Sequence, residues 1–134
     1  MPKEPVDLAL ESYGRSCEAP EFFAAFYAHL FEACPATIYK FAHTDFDRQH
    51  RLLRHGIGLL LNFDRQSGDA PNILARVAER HARTDLDVDP AFYPFFVASL
   101  VATARKFDPQ FDADTESAWR VATANGLAYM TSKY

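Results

Sequence analysis

The stretch NILARVAERHARTD, residues 72–85, decides how the rest of the chain is read, because it sets a histidine in line with apolar residues instead of among charges. Helical steps back from His81 reach Val77 and Ile73, with Leu74 and Ala78 beside them, so the imidazole points wherever this helix buries its face. That face is either core or the wall of a ligand site.

Helical periodicity continues on both sides. Residues 20–33 carry Phe22, Phe23, Phe26, Tyr27, Leu30 and Phe31 on one strongly apolar side. A short segment follows over 35–41. Residues 45–63 then repeat Phe46, Gln49, Leu53, Gly56, Ile57 and Leu60 at steps of three and four. Residues 6–17 form a first amphipathic segment, and 91–107 a later one with Phe92, Phe95, Phe96, Ser99, Leu100 and Thr103 in a stripe. The last helix spans about 115–130 around Trp119. Pro5, Pro20, Pro35, Pro71, Pro90 and Pro109 fall near segment starts or between segments, where a missing N–H does least harm. Alternating Val/Ile/Thr runs and Asn-Gly or Asp-Gly turns are absent, so the expected class is all-α, with about seven helices around one core.

Composition narrows the partners. The 134 residues are 49% hydrophobic, enough for one self-sufficient domain over 1–134. A formal charge of −4 offers no basic surface, which argues against nucleic acid or an anionic membrane as partner. Cys17 and Cys34 sit in separate segments without a C-x-x-C pattern, so neither zinc nor a disulfide framework is signalled. No run reaches signal-peptide or membrane-spanning length, and the expected location is cytoplasmic.

Spacing singles out one constellation. From Gln49 the helix runs on to Phe63, roughly 21 Å, and after the polar DRQSGD break the next leg returns from Ala70 to His81 over roughly 17 Å. Two near-equal legs bring Gln49 and His81 opposite each other. Phe41, Phe46, Leu53, Val77 and Phe96 would wall a narrow apolar slot between them, a shape suited to a planar metal macrocycle.

These residues carry a resemblance. FYAHLF (26–31), KFAHTDFDRQHRLL (40–53), ARVAERH (75–81), FYPFFVASL (92–100) and AW (118–119) are similar, in that order, to segments of single-domain bacterial haemoglobins and of the globin half of flavohaemoglobins. The resemblance implies a globin fold of six to eight helices, three over three around a haem b pocket. It further implies His81 as the proximal iron ligand, Phe41 as the aromatic wedged against the porphyrin, Tyr27 and Gln49 as the distal polar pair, and Leu53 as the apolar distal wall. Val77, Tyr93 and Phe96 complete the lining. A neutral imidazole suits ferrous haem, and the Tyr27 hydroxyl and Gln49 amide are donors for bound dioxygen, which gains negative character.

Several positions sharpen these expectations. His50 neighbours Gln49, and a modest rotation of that helix would set it over the metal as a second imidazole; Gln49 fits the stripe better, three residues after Phe46 and four before Leu53. His29, His43 and His55 read as surface or rim, with His43 and Arg51 or Arg54 as partners for haem carboxylates. Phe23 and His50 fall where such globins cross two helices on small residues. The corner RTDLDVDP puts Tyr93 twelve residues after His81, about two more than the flavohaemoglobin pattern, and Tyr134 stands where those enzymes carry a proximal glutamate.

With no G-x-G-x-x-G fingerprint in the chain, the leading functional expectation is reversible binding of dioxygen, nitric oxide or carbon monoxide for transport, storage or sensing. The alternatives are a nitric oxide dioxygenase or peroxidase-like enzyme served by an external reductase, and a haem-free globin-like interaction module. The apolar final two helices are compatible with a monomer or a homodimer.

Overall fold

A computed structural model describes residues 3–65 and 74–134. The described residues form six α-helices and three short 3-10 helices: α1 (Pro5–Ser16), α2 (Phe22–Ala33), α3 (Phe46–Leu61), α4 (Ala75–His81), α5 (Tyr93–Phe107) and α6 (Ala113–Ser132), with 3-10 turns at Pro35–Phe41, Phe63–Arg65 and Pro90–Phe92. No strand occurs among them. The helices pack against one another around a shared core, as expected of an all-α chain. The main contacts run α1 on α6, α2 on α5, and α6 on α3, α4 and α5.

Local chemistry explains the helix starts. Pro5 opens α1, where its missing N–H costs nothing, with Asp7 in the first turn and Arg15 in the last to complement the helix dipole. The Asp45 carboxylate accepts from the Asp47 and Arg48 amides at the start of α3, and Asp112 accepts from Thr115 N at 2.8 Å at the start of α6. Gly126 is a point of close approach: a Cβ there would lie 2.5 Å from Leu60 Cδ1 and 3.0 Å from Leu74 Cδ1, so a larger residue would make those leucine side chains shift.

The main core gathers Phe22, Phe26, Ile57, Leu61, Leu100 and Trp119, with Leu60, Leu74, Ala78 and Met130 forming a second cluster toward α4. Phe96 packs against both. The polar seams are satisfied in place. Trp119 Nε1 donates to Ser12 Oγ at 3.0 Å, and Arg15 reaches Asp108 through Nε at 2.6 Å and Nη2 at 3.0 Å.

The Asp108 side chain is fully buried. Burial by itself would raise its pKa, but hydrogen bonds from Arg15, Ser12 and the Gln110 amide outweigh that and hold the carboxyl below its ordinary range. The folded chain therefore binds this proton less tightly than the unfolded chain. The stability Asp108 contributes is complete above the unfolded pKa of about 4 and drains away as pH falls below it. We expect acid unfolding monitored by circular dichroism to become flatter between about pH 4 and 2 in Asp108→Asn, which is also less stable at neutral pH. An unchanged acid limb would remove this group from the account.

Two segment boundaries differ from the periodicity. Only Ala75–His81 of the return leg is helical among described residues, and Ala70, Pro71, Asn72 and Ile73 lie outside them. The helix ends on His81 itself because Ala82 turns to extended backbone (φ −68°, ψ 161°). Residues 91–92 belong to a 3-10 turn capped by Asp89, and Pro94 then sits within the first turn of α5.

Candidate functional site

A cavity of about 750 Å³ lies between the helices. That volume is in the range of small-molecule and cofactor sites. Tyr27, Phe41, Gln49, Leu53, Val77, His81, Tyr93 and Phe96 all line it, whereas Phe46, expected as part of the wall, is not in the lining and packs its ring against Tyr27 and Phe41 instead. Four helices and one 3-10 turn supply them.

On the α4 side, His81 Nδ1 lies 2.7 Å from the Val77 carbonyl oxygen. A carbonyl can only accept, so Nδ1 carries the proton and Nε2 keeps its lone pair. Burial lowers the His81 pKa and the nearby Arg80 charge adds to this, against the opposing pull of the Val77 carbonyl and Asp85. The ring is thus neutral at neutral pH, with one nitrogen oriented by the backbone and the other left to bind a metal. This is the outer-partner arrangement by which metal-ligating histidines are fixed.

On the α2 and α3 side, Gln49 Nε2 donates to the Tyr27 hydroxyl oxygen at 2.9 Å. The phenol oxygen is thereby an acceptor for Gln49 and still has its own proton to donate. Burial pushes the Tyr27 pKa up to about 12, with the Gln49 bond pulling the other way, so that proton stays on at physiological pH. Rings fix the phenol in place: Phe26, Phe41 and Phe46 stand edge-on to it at 5.1, 5.2 and 5.5 Å, and Phe31 lies tilted at 5.8 Å. Tyr27 has few alternatives to its observed direction.

His50 is placed elsewhere. Its ring stacks on Tyr27 at 5.8 Å and on Phe23 at 6.2 Å, outside the cavity lining. The structure thus follows the favoured reading over the second-imidazole alternative: the aromatic faces of α2 hold His50 in the helix crossing, and Gln49 takes the cavity position. Phe23 and His50 fill that crossing ring to ring, where small residues would have let the backbones touch.

The solvent-facing rim also departs from expectation. His43 lines it, whereas Arg51 and Arg54 do not; Lys40, Arg48, Arg76 and Arg80 do. Arg80 is paired with Asp85 at 3.0 Å and Lys40 donates to the Leu86 carbonyl at 3.2 Å, while Arg48 and Arg76 have no ion pair among the described residues. His29, read as surface or rim, is half-buried with Nδ1 2.8 Å from Ser99 Oγ on α5. Leu86 and Val88, from the loop after His81, also face the cavity and were missed in the sequence. Their signal was present as two apolar residues alternating with acids in DLDV.

The comparisons agree with this geometry. The globin family model matches residues 24–130. A crystal structure of a protein from Pseudomonas aeruginosa PAO1, described as structurally highly homologous to a human haemoglobin, is 34% identical, covers 98% of each chain and superposes with a TM-score of 0.91. No curated protein compared with the chain matches it. Packed helices, the cavity between them, the family match over most of the chain and sequence identity along nearly its whole length have one explanation, which is that this protein belongs to the globin family.

Proposed function

We propose that the cavity holds haem b, with His81 Nε2 as the protein ligand to iron, and that the protein reversibly binds diatomic gases on the Tyr27 side. The observation that carries this is the His81–Val77 bond, which leaves an unprotonated ring nitrogen in a largely apolar cavity with a charged rim, whose other wall bears the Tyr27–Gln49 pair. The donor set fits the group. One neutral imidazole would serve as the protein ligand to iron, apolar walls formed by Phe41, Leu53, Val77 and Phe96 would suit the macrocycle, and the rim cations Arg48 and Arg76, without an ion pair among the described residues, would suit its two carboxylates.

When bound, haem supplies an iron centre able to take dioxygen, nitric oxide or carbon monoxide at its open coordination position. This chain's residues do the rest. Val77 orients His81, Phe41 and Leu53 would exclude water, and the Tyr27 O–H, its oxygen held in place by Gln49, would be the hydrogen-bond donor to a gas molecule. The His81 partner is a backbone carbonyl, not a carboxylate, and Tyr134 reaches Asp87 instead of the imidazole. A weakly polarised imidazole favours reversible binding over peroxidase-like chemistry, which gains from an anionic partner that makes the ligand a stronger donor.

Absorption spectra of the ferric, ferrous and carbon-monoxide-treated protein test the reading. We expect stoichiometric haem uptake and a ferrous form that takes carbon monoxide with a single imidazole as protein ligand. A protein that stays colourless when haem is supplied, as the interaction-module alternative requires, would overturn it.

A further inference from the structure

The loop after His81 is contacted from outside by Tyr134, two residues beyond the end of α6. At the C-terminus of α4, carbonyls that would be orphaned are taken by loop amides: Arg80 O by Leu86 N (3.0 Å), His81 O by Val88 N (3.0 Å), and Ala82 O by Asp87 N (2.9 Å) and Asp85 N (3.0 Å). The chain must fold back sharply to do this. Asp87 accordingly has φ 51°, the only non-glycine residue with positive φ among the described residues. Leu86 and Val88 on either side of it face the cavity.

Tyr134 grips both limbs of this loop. Its hydroxyl donates to Asp87 Oδ1, its carbonyl accepts from Arg83 N at 3.3 Å, and the Arg83 guanidinium lies over its ring at 4.9 Å. One residue thus ties the left-handed turn and the first limb to the same point. The loop amides it steadies are those that cap the helix on which His81 is the last residue.

From this geometry we infer that Tyr134 is a positioning residue: through Asp87 and Arg83 it holds loop 82–88 against the end of α4, and so sets the orientation of the His81 ring in the cavity. The inference rests on the proposed role of His81 for its consequence at the metal, but the latch itself can be tested without haem.

The test is amide hydrogen exchange on the full chain, comparing wild type with Tyr134→Phe, Asp87→Ala, Asp87→Asn and the double variant Tyr134→Phe/Asp87→Ala. Tyr134→Phe keeps the ring under Arg83 and loses only the hydroxyl, and we expect Leu86, Asp87 and Val88 amides to exchange about tenfold faster. Asp87→Asn retains an acceptor and tolerance of the left-handed turn, and stays near wild type. In the Asp87→Ala background, adding Tyr134→Phe changes nothing further, because the partner is already gone. In haem-loaded protein, the iron–histidine stretching band broadens or shifts in Tyr134→Phe and not in Asp87→Asn. Unchanged exchange in Tyr134→Phe, additive effects in the double variant, or an unmoved band despite faster exchange would each overturn the inference. Wild-type protein that takes up no haem instead defeats the proposed function, while the exchange comparison still judges the latch.

Discussion

His81→Ala protein is expected to fold and to lose stable haem uptake. Loss of an outer partner to a metal-bound histidine already costs roughly 10–100-fold in affinity, and removal of the ligand itself costs more. Apolar contacts with Phe41, Leu53, Val77 and Phe96 remain, so weak, displaceable binding without an axial imidazole is the residual behaviour. Folding should survive, because His81 is the last residue of a seven-residue helix and is only half-buried; circular dichroism and thermal melting serve as controls. His81→Gly makes the experiment sharper. Free imidazole diffusing into the vacated space should restore the wild-type spectrum, since Val77 and the cavity walls stay where they were. Full pigment in His81→Ala without added imidazole would show that another residue holds the iron.

Tyr27→Phe should leave haem uptake intact and raise the rate of dioxygen loss by about ten- to a hundredfold, the range spanned by losing one hydrogen bond to a partner that carries charge. The aromatic cage around position 27 accepts phenylalanine without rearrangement, because its contacts are made by the ring. Carbon monoxide, which gains little negative charge, should dissociate at nearly the wild-type rate, and this contrast separates a donor effect from a change in pocket shape. Gln49→Leu should have a smaller effect than Tyr27→Phe, since in the present arrangement the amide supports the phenol oxygen. In wild type the dioxygen off-rate should be level across neutral pH, as the phenol pKa near 12 keeps its proton in place. Equal rates for dioxygen in wild type and Tyr27→Phe would assign the distal donor to another group.

Much of this site was legible before any fold was known. The apolar stripes of α2, α3 and α5 have helical period, and each stripe carries cavity residues on the face that must be buried, among them Tyr27, Gln49, Leu53 and Phe96. Periodicity identifies a face to within a residue or so. That limit is why His50 competed with Gln49, as adjacent positions on a helix differ by about 100° and a small rotation exchanges them. Packing of His50 against Phe23 and Tyr27 settles the rotation, and those contacts are made between α3 and α2. The rim was less legible for a related reason. Arg48, Arg51, Arg54, Arg76 and Arg80 look alike in sequence, and which of them border the cavity depends on where the return leg enters it.

The sequence alone determined the helices, their buried faces and the set of side chains able to serve one apolar site, because these follow from local periodicity, capping residues and burial of nonpolar surface. Only the tertiary structure decided which imidazole nitrogen is free, which neighbour of Gln49 is turned away, and how Tyr134 meets a turn 47 residues earlier in the chain. Those outcomes depend on contacts between elements far apart in sequence, and no local pattern encodes the relative placement of two helices.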